Sequence, residues 1–170
     1  MIEVARFEKI SEQQFELDCI QADFDATGGA FSDAYANIRM PVRATSGSAG
    51  YDFFLPFPLT LLPGSARTIP TGVRVAIQKG WVLMLCPKSG LGFRYRLQLD
   101  NTVGIIDADY YGAANEGHIL VRITNDSKTE QSLNLEAGKA FVQGIFIQFG
   151  IAQNDETQEK RHGGFGSTEV

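Results

Sequence analysis

The sequence predicts an all-β sandwich or jelly roll preceded by a helical extension. From Ile38 onward, short apolar or alternating runs are separated by Gly, Pro, Asn and Asp, the texture of strands and tight turns rather than of βαβ units. No helical period is sustained after residue 37. Ahead of that point, Ser11 followed by Glu12, Gln13 and Gln14 has the form of a helix N-cap and first turn.

Taken in order, the first helix carries an imperfect apolar stripe of Phe15, Leu17, Cys19, Ile20 and Phe24, and Thr27-Gly28-Gly29 ends it. A second short helical stretch runs from Phe31 to Asn37, so residues 1–37 read as a helical extension packed on the main body, with nothing in it that suggests chemistry. Strands are expected at Ile38–Arg43, Asp52–Leu55, Leu59–Leu62, Ala66–Pro70, Val73–Gln78 and Trp81–Cys86. More are expected at Leu97–Leu99, Val103–Ile106, His118–Thr124, Gln131–Leu135 and Ala140–Phe149, with turns at Pro63-Gly64, Lys79-Gly80 and Ala137-Gly138. Residues 38–153 form the β domain, and the polar, glycine-bearing stretch 154–170 is a tail that a ligand would have to order.

Composition excludes several classes. At 170 residues the chain suits one domain with its own core. A net charge of −5 disfavours a protein that coats nucleic acid, which needs a basic surface. Cys19 and Cys86 lack metal spacing, and Cys86, inside an apolar run, reads as a buried thiol in a reducing, intracellular setting. No signal peptide is evident at the N-terminus, and the apolar runs are too short to span a bilayer.

Five segments carry chemistry-bearing residues. Ser46 to Asp52 is a small-residue loop running into a strand that opens with an acid; read alone it is better taken as a flexible turn. Pro87-Lys88-Ser89-Gly90-Leu91-Gly92 brings a cation, a hydroxyl and glycine amides together after a strand, the donors a loop needs for phosphate oxygens. It is not a Walker loop, because the lysine precedes the glycines and no helix is expected after it. Asn101 to Gly112 is an apolar hairpin ending in acid. Strand alternation there would put Asp107 and Asp109 on one face, and Gly104 would let a ligand approach the main chain. Gln143 is a lone amide in the apolar strand Gly138–Phe146, where it either satisfies backbone or faces a ligand. Arg161 to Thr168 combines glycines, Phe165, two hydroxyls and a cation, a mixture able to lie over a nucleotide.

In this order and spacing the five segments resemble the five motifs of the trimeric dUTP diphosphatases (dUTPases), over about residues 38–170. The matching text is Ala49-Gly50-Tyr51-Asp52, Pro87 to Gly92, Gly104 to Gly112, Gly138 to Phe146 and Gly163 to Thr168. The resemblance implies a jelly-roll homotrimer whose active sites are each built from more than one chain. It implies hydrolysis of dUTP to dUMP and pyrophosphate with Mg²⁺, which keeps uracil out of DNA and supplies dUMP for dTMP synthesis. By position, Asp107 resembles the general base that takes a proton from the water attacking the α-phosphorus, while Asp109 supports the turn. Tyr110 matches the tyrosine under the deoxyribose that leaves no room for a 2′-hydroxyl. Asn101, with the backbone of Gly104 and Ile106, matches the hairpin that reads the uracil edge. Lys88, Ser89, Gly90 and Gln143 match the phosphate contacts, and Asp52 the acid that holds the metal through water. Phe165 resembles the aromatic that stacks on uracil when the tail closes, with Arg161, Ser167 and Thr168 reaching the γ-phosphate.

Three departures stand out. The family commonly has arginine at the place of Lys88. Its tail arginine usually lies where Lys160 stands, so Lys160 is a substitute for Arg161. Residues before 38 and the insertion Ala113–Gly117 add to the minimal plan. A dCTP deaminase, which shares the fold, would place a catalytic glutamate in the strand His118–Ile123, where no acid stands. A regulatory module, with a protein partner on the N-terminal extension, is the alternative from another class; deletion of residues 1–37 would then spare hydrolysis. The resemblance fits a cytoplasmic protein, or a phage-encoded one acting in the host cytoplasm.

Overall fold

The alternation read from the sequence becomes a jelly-roll β-sandwich in the computed structural model, which describes residues 2–24 and 30–157. Arg161, Phe165, Ser167 and Thr168 of the tail lie outside the described residues, as does Lys160. Twelve strands are present among the described residues: β1 (Ala5–Lys9), β2 (Val42–Arg43), β3 (Tyr51–Phe54), β4 (Leu59–Leu61), β5 (Ala66–Pro70), β6 (Val73–Ile77), β7 (Trp81–Pro87), β8 (Leu97–Leu99), β9 (Gly104–Ile106), β10 (Leu120–Asn125), β11 (Leu133–Leu135) and β12 (Ala140–Gln148). Three helices join them: α1 (Glu12–Gln21), α2 (Ala30–Ala36) and α3 (Ser89–Tyr95). All pairings are antiparallel.

The sheet that carries the site has the order β2-β3-β12-β7-β9. Its inward positions follow the two-residue period: Leu83 and Leu85 of β7 and Phe53 of β3 are buried, together with Phe141 and Val142 of β12. A register shift between Ala140 and Val142 lets the consecutive Phe141 and Val142 both turn inward. Opposite lie β5-β10-β8 and β11-β4, which add Ile69, Val121, Ile123, Leu97, Leu133 and Leu61 to the same core.

The N-terminal extension is more than helical. Its first element is β1, which pairs with β6 from Ala5↔Ile77 to Lys9↔Val73. The charged text Ala-Arg-Phe-Glu-Lys hides this strand, because only Phe7 marks its inner face. The predicted α1 is present, with the Ser11 hydroxyl accepting from the Gln14 amide. Ile10, Phe15, Cys19, Phe31 and Ala34 of the extension belong to the main core.

Two further expectations are corrected. The segment after Lys88 is a helix, α3, despite its two glycines, because Leu91 and Tyr95, one turn apart, both pack on the core. The hairpin strand also stops at Ile106. Asp107 adopts extended geometry (φ −76°, ψ 158°) as the N-cap of a 3-10 helix, Ala108–Gly112, so alternation does not carry Asp107 and Asp109 onto a common face. Both cysteines are free, Cys19 fully buried and Cys86 only half-buried.

Candidate active site

Strand register assembles the first group of residues. Gln143 of β12 lies opposite Asp52 of β3 on one side and Cys86 of β7 on the other. The end of β7 therefore delivers Lys88 beside them, with the Lys88 amide donating to the Phe141 carbonyl at 3.2 Å. The Lys88 ammonium donates to Asp52 Oδ1 at 2.7 Å, an ion pair with 30% and 16% of the two side chains exposed. Gln143 Nε2 points to the Pro87 carbonyl at 3.5 Å. Gly50 makes room for that amide, since a Cβ at this position would stand 2.5 Å from Gln143 Oε1. Ser89 and Gly90 are exposed in the first turn of α3, where backbone N–H groups lack partners within the helix.

Across β7 lies the second group. β9 pairs with β7, Gly104 opposite Leu85 and Ile106 opposite Leu83. Asn101 sits at the exposed tip joining β8 to β9, where Thr102 holds φ 70°, a strained conformation for a β-branched residue. Asn101, Gly104, Ile105 and Ile106, with Leu85 and Leu99, wall a cleft of about 120 Å³. The need for glycine at 104 comes from packing: a Cβ there would lie 3.0 Å from Leu85 Cβ. Asp107, half-buried, follows directly. Tyr110 is only 4% exposed, and its hydroxyl donates to the His118 carbonyl at 2.8 Å, so little of its ring is open to a ligand.

The sequence reading passed over Asp100 and Arg122, which line the same cleft and pair at 2.7 Å. The signal for them was present: Asp100 adjoins Asn101, and Arg122 is the single cation in an apolar strand. The structure thus unites Asp52, Lys88 and Gln143 in one group, and Asn101, Gly104 and Ile106 in another on the opposite edge of β7. Among the described residues no three His, Cys, Asp or Glu side chains gather as a metal site. Asp52 is a lone carboxylate beside a cation, a donor set that suits Mg²⁺ only if waters and phosphate oxygens complete its shell.

A dUTPase family model matches residues 36–169. The deoxyuridine 5'-triphosphate nucleotidohydrolase of Lactococcus lactis is 42% identical over 136 residues, covering 78% of this chain and 89% of that protein. The one from Paraburkholderia xenovorans is 37% identical over 142 residues, covering 80% and 93%. The solved dUTPase of Streptococcus mutans superposes with a TM-score of 0.64 at 34% identity, over 86% of this chain and 97% of that one. A dUTPase from phage phi11 of S. aureus shares the fold at a TM-score of 0.63 and 20% identity, over 92% and 98%. On the match of the family model and of these relatives, the chain belongs to the dUTPase family.

Proposed function

We propose that this protein is a dUTP diphosphatase that hydrolyses dUTP to dUMP and pyrophosphate, removing a precursor of uracil in DNA and supplying dUMP for dTMP synthesis. The observation that carries this reading is the cleft walled by apolar side chains and closed by Asn101 and the β9 main chain. Such a pocket suits the flat ring of a pyrimidine, with the hairpin's donors and acceptors meeting its edge. Its named relatives are deoxyuridine 5'-triphosphate nucleotidohydrolases.

In this reading Asp107 takes the proton from the water that attacks the α-phosphorus, and Tyr110 stands under the deoxyribose. Lys88, Ser89, Gly90 and Gln143 hold phosphate oxygens, which a cation, a hydroxyl, main-chain amides and a side-chain amide are equipped to do. Asp52 would hold Mg²⁺ through water, and the ion would offset triphosphate charge. The phi11 enzyme coordinates a structural Mg(II) ion. From the tail 154–170, Phe165 would stack on the base, while Arg161, Ser167 and Thr168 would reach the γ-phosphate and exclude water.

A homotrimer follows from the same reading. Within one chain the phosphate group and the base cleft lie on opposite edges of β7, and active sites drawing on more than one copy are what the family resemblance implies. Phe93 on α3 is 90% exposed, and Phe149 and Ile151 beyond β12 are also exposed, which favours burial between copies. Residues 38–153 are then the enzyme domain, acting in the cytoplasm of a cell or of a phage host. A partner bound through residues 1–37 is a second reading, and the burial of that segment in the core argues against a purely docking role.

Purified protein with Mg²⁺ should release pyrophosphate from dUTP far faster than from dTTP, dCTP or UTP; equal rates would sink the proposal. Asp107→Asn should cut kcat by about 10²–10⁴-fold, the usual worth of a positioned general base, with nucleotide binding kept. Persistent turnover would remove Asp107 from that role.

A further inference from the structure

The two additions to the minimal plan, the N-terminal extension and the insertion 113–117, meet each other. Glu116 in the insertion accepts two hydrogen bonds from Ser11, from its amide at 2.8 Å and from its hydroxyl at 2.7 Å. That hydroxyl also caps α1 by accepting from Gln14 N–H. One turn further along α1, Asp18 is buried against His118, the residue that follows the insertion, with 2.5 Å between Asp18 Oδ2 and His118 Nδ1. The Gly72 amide donates to His118 Nε2 at 2.8 Å, so Nε2 is an acceptor and Nδ1 carries the hydrogen given to Asp18. The imidazole is thus held from both sides in one orientation.

What this arrangement grips is the 3-10 turn after Asp107. The Tyr110 hydroxyl donates to the carbonyl of His118, and Asn115 Nδ2 donates to both that hydroxyl and that carbonyl, at 2.9 and 3.2 Å. Gly117 packs so tightly on the turn that a Cβ would fall 2.7 Å from the Tyr110 carbonyl oxygen and 2.8 Å from Tyr111 Cα. Glu116 sits at φ 59°, a conformation that costs energy for glutamate and that its two bonds to Ser11 offset. On the other side of the turn, Tyr111 donates to Glu8 of β1 at 2.7 Å, and Arg74 both pairs with Glu8 and lies over the Tyr111 ring. Both tyrosines are therefore tied to the extension, one through His118 and one through Glu8.

We infer that the N-terminal extension and the 113–117 insertion form one clamp that sets the position of Tyr110, making Asp18, His118, Ser11 and Glu116 positioning residues for sugar recognition. The clamp rests on the dUTPase reading above. Its reach is specific: the 3-10 turn begins at Asp107, and in the proposed function the small exposed part of Tyr110 is what a 2′-hydroxyl would meet. A loosened clamp lets the turn shift, which weakens dUTP binding and admits UTP.

The test compares Asp18→Asn, Asp18→Leu, Glu116→Ala and Tyr111→Phe in the full-length protein, measuring KM and kcat for dUTP and for UTP together with the melting temperature. Asp18→Asn keeps an oxygen to accept from His118 and should stay near wild type. Asp18→Leu and Glu116→Ala should raise the KM for dUTP roughly fivefold and lower the dUTP/UTP preference by a similar factor, a coupling of the size seen for residues that touch no ligand. If Asp18→Leu fails to fold, Glu116→Ala and Tyr111→Phe, which remove two bonds to Ser11 and one to Glu8 nearer the surface, decide the matter. Variants that melt earlier while keeping wild-type KM and preference would overturn the clamp and leave a merely structural extension. A wild-type protein inactive on dUTP would sink the function and the clamp together, whereas an active wild type with unaffected variants sinks the clamp alone.

Discussion

Gly50→Ala isolates what the site asks of its scaffold. The added Cβ would stand 2.5 Å from Gln143 Oε1, where ordinary contact begins at 3.4 Å, so the amide oxygen must retreat by the difference, about 0.9 Å. The obstructing atom is the end of a flexible side chain, and the next contacts, at 3.3 and 3.5 Å to Gln143 Cδ and Cβ, are nearly tolerable. An off-rotamer glutamine costs about 0.5–1.5 kcal/mol. For a chain of this size that lowers Tm by only about 1–6 °C. Activity is a harsher judge, because a displacement near 1 Å in a positioning group can cost about 10²-fold in rate. The variant should therefore melt almost as wild type in a thermal scan but lose one to two orders of magnitude in kcat/KM for dUTP. In a Gln143→Ala background the clash disappears, and Gly50→Ala should add nothing further. Full activity in the single variant would refute the assignment of Gln143 to the phosphates, and a Tm loss beyond about 10 °C would show that the strain reaches the backbone.

Burial pushes the Cys19 thiol up to about 12, so a thiol reagent at neutral pH should leave it untouched until the protein unfolds. Fast labelling of Cys19 in native protein would mean that α1 is not seated on the core. Glu116 is held below its ordinary value of 4.5 chiefly by the bonds from Ser11, so its contribution is complete above about pH 4.5 and is lost as pH falls through the lower folded value. The Tm gap between wild type and Glu116→Gln should accordingly narrow on acidification below that point. A gap with no pH dependence anywhere on the acid limb would show that the ionised carboxylate adds nothing to the Ser11 contact.

The strands were legible because turn residues punctuate them: Pro63-Gly64, Lys79-Gly80 and Ala137-Gly138 bound runs whose alternation survives in the burial of Leu83, Leu85 and Phe53. What escaped was decided by contacts distant in sequence. Glycine in Ser89–Tyr95 argues for a loop, and only the packing of Leu91 and Tyr95 on the core overrides it. β1 exists because β6 offers an edge, from 64 positions away at Lys9↔Val73 to 72 at Ala5↔Ile77. The site followed the same division. Its residue types could be read from their text, whereas the pairing of Lys88 with Asp52, 36 residues apart, and of His118 with Asp18, 100 apart, required the folded chain.

Lysine at position 88 acquires a meaning from that pairing. Its single nitrogen carries every hydrogen bond the side chain makes, and one of them already goes to Asp52 at 2.7 Å. A guanidinium in the same place could hold the carboxylate with one nitrogen and a phosphate with another. In the proposed site an incoming phosphate and Asp52 would share one ammonium, so a Lys88 drawn toward substrate would loosen its hold on the carboxylate that would carry hydrated Mg²⁺. The half-buried position of the pair keeps this exchange affordable, because neither charge is left in an apolar interior while its partner changes.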